Sequence, residues 1–256
     1  MTFFYQSIFK NRQQGFTLVE LLVSVLLASI VSALALTLFF STNSLRSKSI
    51  QVVDGVLGES NVLGMIQDSV EMAGYAEDIT LSFSRDLSFP SNSLFAAGQV
   101  LRIIGTANDQ RLIVRFKGPS RQVFRACNGE EIPVDAAYIR ELRVDSGALL
   151  CRDLNPDGTT IAESTINNNI IRLHFRAVLS DNDDKRFITA SLGLGDISQI
   201  VGINTYLLME SNQDFYSEAR AQNFQFDGFT DHSVTDKKQY RFVSSLIKPR
   251  NIVDTI

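Results

Sequence analysis

The chain has 256 residues, of which 45% are hydrophobic and 20% charged, and its formal net charge is −4. This length is enough to bury a sizeable core in one large domain or two small ones. The mild acidity, and the lack of any run of five basic residues, argue against general nucleic-acid binding. The sequence contains no nucleophile elbow, phosphate-binding glycine loop or metal-binding helix motif, so an enzyme is not expected.

One apolar segment stands out near the N-terminus. From Leu21 to Leu45 there are 25 consecutive residues without a charge, and about 20 such residues span a bilayer core as a helix. A removable secretory signal is the alternative, because Lys10 and Arg12 precede the segment and residues 33–35 resemble a cleavage site. The apolar run continues beyond that site, however, which favours a retained transmembrane segment at about 18–41.

The residues before this run read Gln13-Gln14-Gly15-Phe16-Thr17-Leu18-Val19-Glu20. They resemble the prepilin processing site of type IV pilins and pseudopilins, in which a membrane peptidase cuts after the glycine and methylates the new N-terminus. The resemblance implies a cleaved leader over residues 1–15, cut by a prepilin peptidase between Gly15 and Phe16. It also implies N-methylation of Phe16.

Glu20 is an ionisable residue at the start of the predicted membrane segment, where a charge is costly and commonly marks a function. A carboxylate that reaches back to the lipid headgroups is the alternative. The cut would free the amine of Phe16, and the Glu20 carboxylate of a neighbouring subunit can neutralise that amine. We therefore expect Glu20 to take part in subunit assembly.

Beyond Lys48 the apolar residues recur at three- and four-residue steps, which predicts an amphipathic extension of the helix. No proline occurs before position 90, and Gly74 is placed to end the helix. Three glycines between positions 55 and 64 weaken the middle, so a kink is a further expectation. The predicted N-terminal helix covers residues 16–75.

From Gln99 onward the hydrophobic pattern alternates, which indicates strands. A helix followed by a mostly antiparallel sheet is an α+β arrangement, with a β-rich globular domain over residues 76–256. Two hairpins are predicted around the turns 105–110 and 145–147, four further strands at 171–176, 187–192, 200–209 and 241–247, and exposed loops at 181–184 and 214–238.

Cys127 and Cys151 lie at the ends of predicted strands. In an exported domain an even number of cysteines points to a disulfide. Such a bond between these two residues would contribute about 3 kcal/mol by chain-entropy reasoning. Two reduced, buried thiols are the alternative, whereas a metal pair is disfavoured because no histidine is near in sequence.

Asp153, Asn155 and Asp157 occupy the spacing of positions 1, 3 and 5 in a calcium loop, and a glycine follows at position 6. Position 12 is Ser164, however, and the acidic Glu163 falls one place early. Asn-Pro-Asp-Gly is also a common tight turn. The segment therefore leaves two interpretations, a calcium site and a plain turn, of which the turn is favoured; no other cofactor is expected.

Two sets of charged residues on predicted strands are interpreted as solvated. His174 shares one face of a predicted strand with Arg172 and Arg176. The basic residues between Arg111 and Arg125 are read as the outer side of a sheet, so nucleic-acid binding is not expected.

Three further segments narrow the resemblance: Ile66–Tyr75, Tyr206–Ser211 and Arg241–Asn251 resemble the helix end, penultimate strand and last strand of PilW-type minor pilins. This implies a minor pilin that joins other minor pilins and the major pilin through an inner-membrane assembly platform, priming a type IV pilus, with a place in a tip complex. It also implies a single-pass inner-membrane precursor, with its C-terminal domain in the periplasm, that later reaches the cell surface in the pilus.

Two alternatives remain open. A J-type minor pseudopilin of a type II secretion system shares the leader and the architecture. A membrane-anchored periplasmic enzyme or ligand-binding protein belongs to a different class, and a convergent polar site in a pocket would support it.

Overall fold

The computed structural model describes residues 17–76, 89–106, 109–120, 123–181, 184–188, 200–227 and 229–250. Within these ranges one long helix, α1 (Leu18–Met72), precedes all the strands. The chain divides into two compact units, Met1–Ile50 and Gln51–Ile256. The strands are β1 (Leu101–Thr106), β2 (Asp109–Lys117), β3 (Ala137–Asp145), β4 (Ala148–Leu154), β5 (Thr160–Asn167), β6 (Ile170–Asp181), β7 (Asp184–Ile188), β8 (Ile200–Glu210), β9 (Arg220–Phe224), β10 (His232–Asp236) and β11 (Tyr240–Ile247).

Helix α1 ends where the sequence predicts a glycine cap. Gly74 has a φ of +75°, a left-handed conformation that glycine adopts without steric cost. Its N–H donates to the carbonyl of Arg115 on β2 at 2.9 Å. A Cβ at position 74 would lie 3.1 Å from Cγ2 of Val100. The end of the helix is therefore joined directly to the first sheet.

Strands β1 to β5 form an antiparallel meander in sequence order. Both predicted hairpins are present as β1–β2 and β3–β4. At the second turn Ser146 and Gly147 have φ values of 51° and 81°. Two consecutive positive φ angles characterise the type I′ turn, whose twist matches that of the strands it joins. The fifth strand, β5, lies where the sequence predicted none, because its polar residues hide the alternation.

A second antiparallel sheet has the order β11-β8-β6-β7, and β9 and β10 pair with each other separately. The prediction of an exposed loop over 214–238 is wrong, because this segment contains the β9–β10 hairpin. Each of these strands has five residues, mostly polar. Such short polar strands leave too few apolar positions for an alternating pattern to be read.

The core of the second unit lies between the C-terminal part of α1 and the inner faces of both large sheets. Val62, Ile66 and Val70 are fully buried along one stripe of the helix. An ion pair joins the same two elements, because Nε of Arg241 on β11 donates to the carboxylate of Glu59 on α1 at 2.6 Å. A helix packed on antiparallel sheets is the α+β fold that the sequence predicts, and the structure confirms it.

Candidate functional site

Helix α1 begins with a capping arrangement that includes Glu20. The Glu20 N–H donates to Oγ1 of Thr17 at 3.3 Å, and the Leu21 N–H donates to the Thr17 carbonyl at 3.1 Å. Threonine followed three residues later by glutamate is the capping-box pattern, and an acid in the first turn favours the helix dipole. The side chain of Thr17 therefore caps the helix, and Glu20 supplies a backbone N–H and an acid in the first turn. The predicted processing residues Gly15 and Phe16 lie outside the described residues.

The first unit presents an apolar surface that its own chain leaves uncovered. Every residue from 17 to 50 is exposed, including Leu18 at 74% and Leu38 at 68%. Each large apolar side chain left in water forgoes about 1.5–3 kcal/mol relative to burial. Among the described helices α1 alone is long and apolar enough to cross a membrane. This surface needs lipid or other protein around it.

Four hydroxyl groups in the same segment form hydrogen bonds within the helix. Ser24, Ser29, Ser32 and Thr37 each donate to a carbonyl three or four residues earlier, at 2.7–2.9 Å. Such bonds lower the cost of placing a hydroxyl in an apolar medium. Glu20 is the sole charged side chain between Leu18 and Leu45, so it is the charge in this segment that needs a counter-charge once water is excluded.

In the second unit Cys127 and Cys151 form a disulfide, with an S–S distance of 2.01 Å. Cys151 lies on β4, and Cys127 lies in a loop closed by backbone bonds from Ala126 to Glu130 and from Ile132 to Phe124. Both sulfurs belong to buried residues. The bond fastens this loop to the middle of the first sheet.

A buried ion pair supports the same loop. Arg140 donates from Nε to Asp153 Oδ1 at 2.8 Å, and the two side chains are 3% and 0% exposed. The other carboxylate oxygen accepts the Cys127 N–H at 2.6 Å, and the Arg140 guanidinium also donates to the Arg125 carbonyl at 2.6 Å. The Arg140 guanidinium lies 5.5 Å from the Phe116 ring centroid. Asp153 thus neutralises a cation and holds Cys127 in place.

The three predicted calcium ligands are already engaged in hydrogen bonds with other residues of the chain. Asp157 accepts both the N–H and the hydroxyl of Thr159, and these bonds hold the pKa of its carboxyl below the usual range. The Asn155 amide donates to the Thr159 hydroxyl at 2.9 Å. Asp153 is occupied by Arg140 and the Cys127 N–H. These contacts favour the turn, and the calcium site stays a prediction.

One further trio brings possible ligand atoms together. The sulfurs of Cys127 and Cys151 and a carboxylate oxygen of Asp153 lie within 4.8 Å of one another. The disulfide occupies both sulfurs, and the neighbouring Arg140 cation opposes a metal ion. This cluster has the chemistry of a structural cross-link.

The interpretation of His174 as solvated is wrong, because its side chain is buried at 3% exposure. Its ring stacks on Phe229 at 4.3 Å between centroids and meets Phe226 edge-on at 5.1 Å. Burial, with a smaller contribution from the charge of Arg172, lowers the pKa of His174 to about 4. The strand pattern identified the face on which His174 lies, but it could not show that the β9–β10 segment covers that face.

The prediction of a solvated outer surface is also wrong for Arg115, whose side chain is buried at 4% exposure. Its guanidinium donates to the carbonyls of Phe89, Pro90 and Ala96 at 2.7–2.8 Å. It also lies about 5 Å from the rings of Phe89 and Phe95. This arginine organises the segment that leads into β1, a role that charge patterning alone cannot reveal.

Comparison with known proteins adds two findings. Residues 10–36 match the family model described as the prokaryotic N-terminal methylation motif. A type IV-like pilin from Thermus thermophilus has a similar structure, with a TM-score of 0.51 and 12% sequence identity over 77% of this chain and 97% of that chain. No curated protein gives a significant match. The chain therefore has a type IV pilin-like fold and carries a prepilin methylation motif.

Proposed function

We propose that the chain is a minor pilin of the PilW type, a subunit that enters a cell-surface filament through α1. The observation that carries this proposal is a methylation motif, at residues 10–36, that extends into the apolar part of α1, where every described residue up to position 50 is exposed. A fold shared with a type IV-like pilin supports it. The work of such a subunit is protein–protein association rather than catalysis.

The proposed sequence of events begins in the inner membrane. The segment at about 18–41 holds the precursor in the bilayer, and the domain with the disulfide lies on the periplasmic side, where oxidation is supported. The prepilin peptidase removes residues 1–15 and methylates Phe16. Assembly then moves the helix from lipid into a bundle of neighbouring helices, so that apolar surface remains covered throughout.

Glu20 supplies the specificity of this transfer. In the filament its carboxylate pairs with the Phe16 amine of a neighbouring subunit, which neutralises both charges in an apolar surrounding. Leaving that amine unpaired costs about 3–5 kcal/mol, the penalty for breaking a buried ion pair. Other minor pilins, the major pilin and the assembly platform are the proposed partners, and a tip complex that primes the pilus is the proposed location.

The capping geometry provides a matched pair of variants to test this role. Glu20→Gln keeps a residue type of the capping-box pattern but removes the charge, whereas Glu20→Ala removes the polar side chain as well. The bond from the N–H of residue 20 to Thr17 is made by the backbone, so both variants can keep it. With each variant as the sole copy, both subunits should be processed and inserted in the membrane yet missing from sheared filaments. Ser24→Ala, one turn away, should assemble normally because its hydroxyl bonds only within the helix.

The outcomes separate the two roles of Glu20. If Glu20→Gln assembled like the wild type while Glu20→Ala did not, capping would explain the residue and charge pairing would be rejected. Mass spectrometry of filament subunits should find Phe16 with one methyl group at the N-terminus. Filament subunits that keep residues 1–15 would contradict prepilin processing, and a start at Leu36 would indicate a secretory signal.

A further inference from the structure

Aromatic side chains join the β9–β10 segment to the outer face of the second sheet. We call residues Arg220–Asp236 the flap. β9 and β10 form a sheet of their own, separate from the second sheet. All residues of β9 and β10 are exposed or half-buried. Phe226, which lies between the two strands, is only 2% exposed. Contacts between aromatic side chains, rather than hydrogen bonds of a shared sheet, therefore hold the flap on the second sheet. The attachment includes Phe226 on Phe242, Phe224 on Tyr240, and Phe229 on Tyr206.

His174 lies at the centre of this attachment. Phe229 stacks on its ring at an interplanar angle of 14°, and Phe226 meets the ring at 83°. Nδ1 of His174 is buried and has no hydrogen-bond partner among the residues that the structure describes. A neutral imidazole tolerates such an apolar surrounding, whereas an imidazolium there would lack both water and a counter-charge.

The charged groups around the ring increase this cost. On β6 itself the neighbours are Arg172 and Arg176, and β8 contributes the neutral phenol of Tyr206. From the flap come Asp227, which pairs with Arg176, and His232, whose pKa is lowered by burial and by Arg172. Asp231 precedes His232 in the chain. Arg172 thus acts on both histidines of the protein, and its positive charge opposes the protonation of each.

We propose that the flap is an acid-released cover, held on the second sheet at neutral pH by neutral His174 between Phe226 and Phe229. Acidification protonates His174 in the open form, where water solvates the imidazolium. The cover then lifts and exposes the aromatic outer face beneath it, while the sheet and the disulfide-linked half of the domain stay folded.

The direction follows from proton linkage. His174 has a pKa of about 4 when covered and about 6.5 when solvated, so the open form binds the proton more tightly. The cover is fully held above pH 6.5 and is progressively lost as the pH falls toward 4. Between pH 7 and pH 5 the open population should rise about twentyfold.

Hydrogen exchange on the full-length protein in detergent micelles tests this. After correction for intrinsic exchange rates, amide protection in β9 and β10 should fall about twentyfold from pH 7 to pH 5, with little change in β2 to β4. Unchanged flap protection at pH 5 would overturn the proposal. An equal loss of protection over the whole domain would also overturn it, because that indicates global unfolding.

Two variants assign the effect to one ring. His174→Phe keeps an aromatic ring at this position and removes the titrating group. The amide protection of β9 and β10 in this variant should therefore not depend on pH. His232→Asn should retain most of the wild-type response. If His174→Phe keeps the full response, the proposal is wrong. If that variant does not fold, a direct titration of His174 in the wild type decides the matter, since an ordinary value near 6.5 would exclude the mechanism.

Discussion

Arg140 and Asp153 face each other on adjacent strands with Nε and Oδ1 2.8 Å apart, both withdrawn from water. Removing one partner leaves the other charge buried and unpaired. We therefore expect Asp153→Ala and Arg140→Met each to lower the free energy of unfolding by about 3–5 kcal/mol. Urea denaturation of the full-length protein measures this.

The double variant Arg140→Met with Asp153→Leu should recover much of that loss, because it buries no charge. Glu163→Gln is the matched control, since this residue forms a partly exposed pair with Arg152. It should change stability by less than about 1 kcal/mol. Equal losses for the buried and the exposed pair would show that burial does not set the cost.

The disulfide is tested by peptide mapping of the mature protein without reductant, which should recover Cys127 linked to Cys151. Changing both cysteines to serine should lower the free energy of unfolding by about 3 kcal/mol, because the open loop gains freedom in the unfolded chain. Free thiols at both positions in the mature protein would contradict this prediction.

Calcium should not stabilise the protein. Asp153 is committed to Arg140 and the Cys127 N–H, which leaves the 153–158 turn without its first ligand. Thermal unfolding should therefore be the same in excess calcium and in chelator, and Asp157→Asn should not create a difference. A calcium-dependent rise in Tm that Asp157→Asn abolishes would establish the metal site instead.

Two glycines of the helix region should respond in opposite directions to alanine. Gly74→Ala forces a side chain into a left-handed conformation and against Val100, so it should destabilise by about 1–2 kcal/mol. At Gly64 a Cβ meets nothing within 4 Å, so Gly64→Ala should stabilise the helix by about 0.5–1 kcal/mol. Losses of similar size at both positions would contradict the assigned cap.

The parts of the fold that depend on local pattern could be predicted from sequence. The three- and four-residue spacing gave α1 nearly to its observed end, and the Asp145-Ser146-Gly147 turn gave the β3–β4 hairpin. Such patterns arise within one element, so they require no knowledge of its neighbours.

The errors concern residues whose surroundings come from distant parts of the chain. His174 is covered by phenylalanines about fifty residues later in the chain. Arg115 is covered by a segment whose carbonyls lie 19 to 26 residues earlier. The alternation of apolar and polar residues along a strand predicts which side chains share a face. Whether that face is exposed to solvent depends on the segment that packs on it. The cap at Thr17 is a local feature, and the pattern Thr17-x-x-Glu20 in the sequence already indicates it.

The contact between Glu59 and Arg241 has a consequence for the order of folding. These residues are 182 positions apart, so the helix is synthesised long before the strand that packs on it. β11 also pairs with β8, and the second sheet cannot be completed until residue 247 has been made. Loop closure over such separations is slow. The stripe of α1 that is buried in the finished fold therefore stays exposed until the end of the chain has been made, and truncated chains that stop before β11 should be cleaved by proteases more readily than the full-length chain.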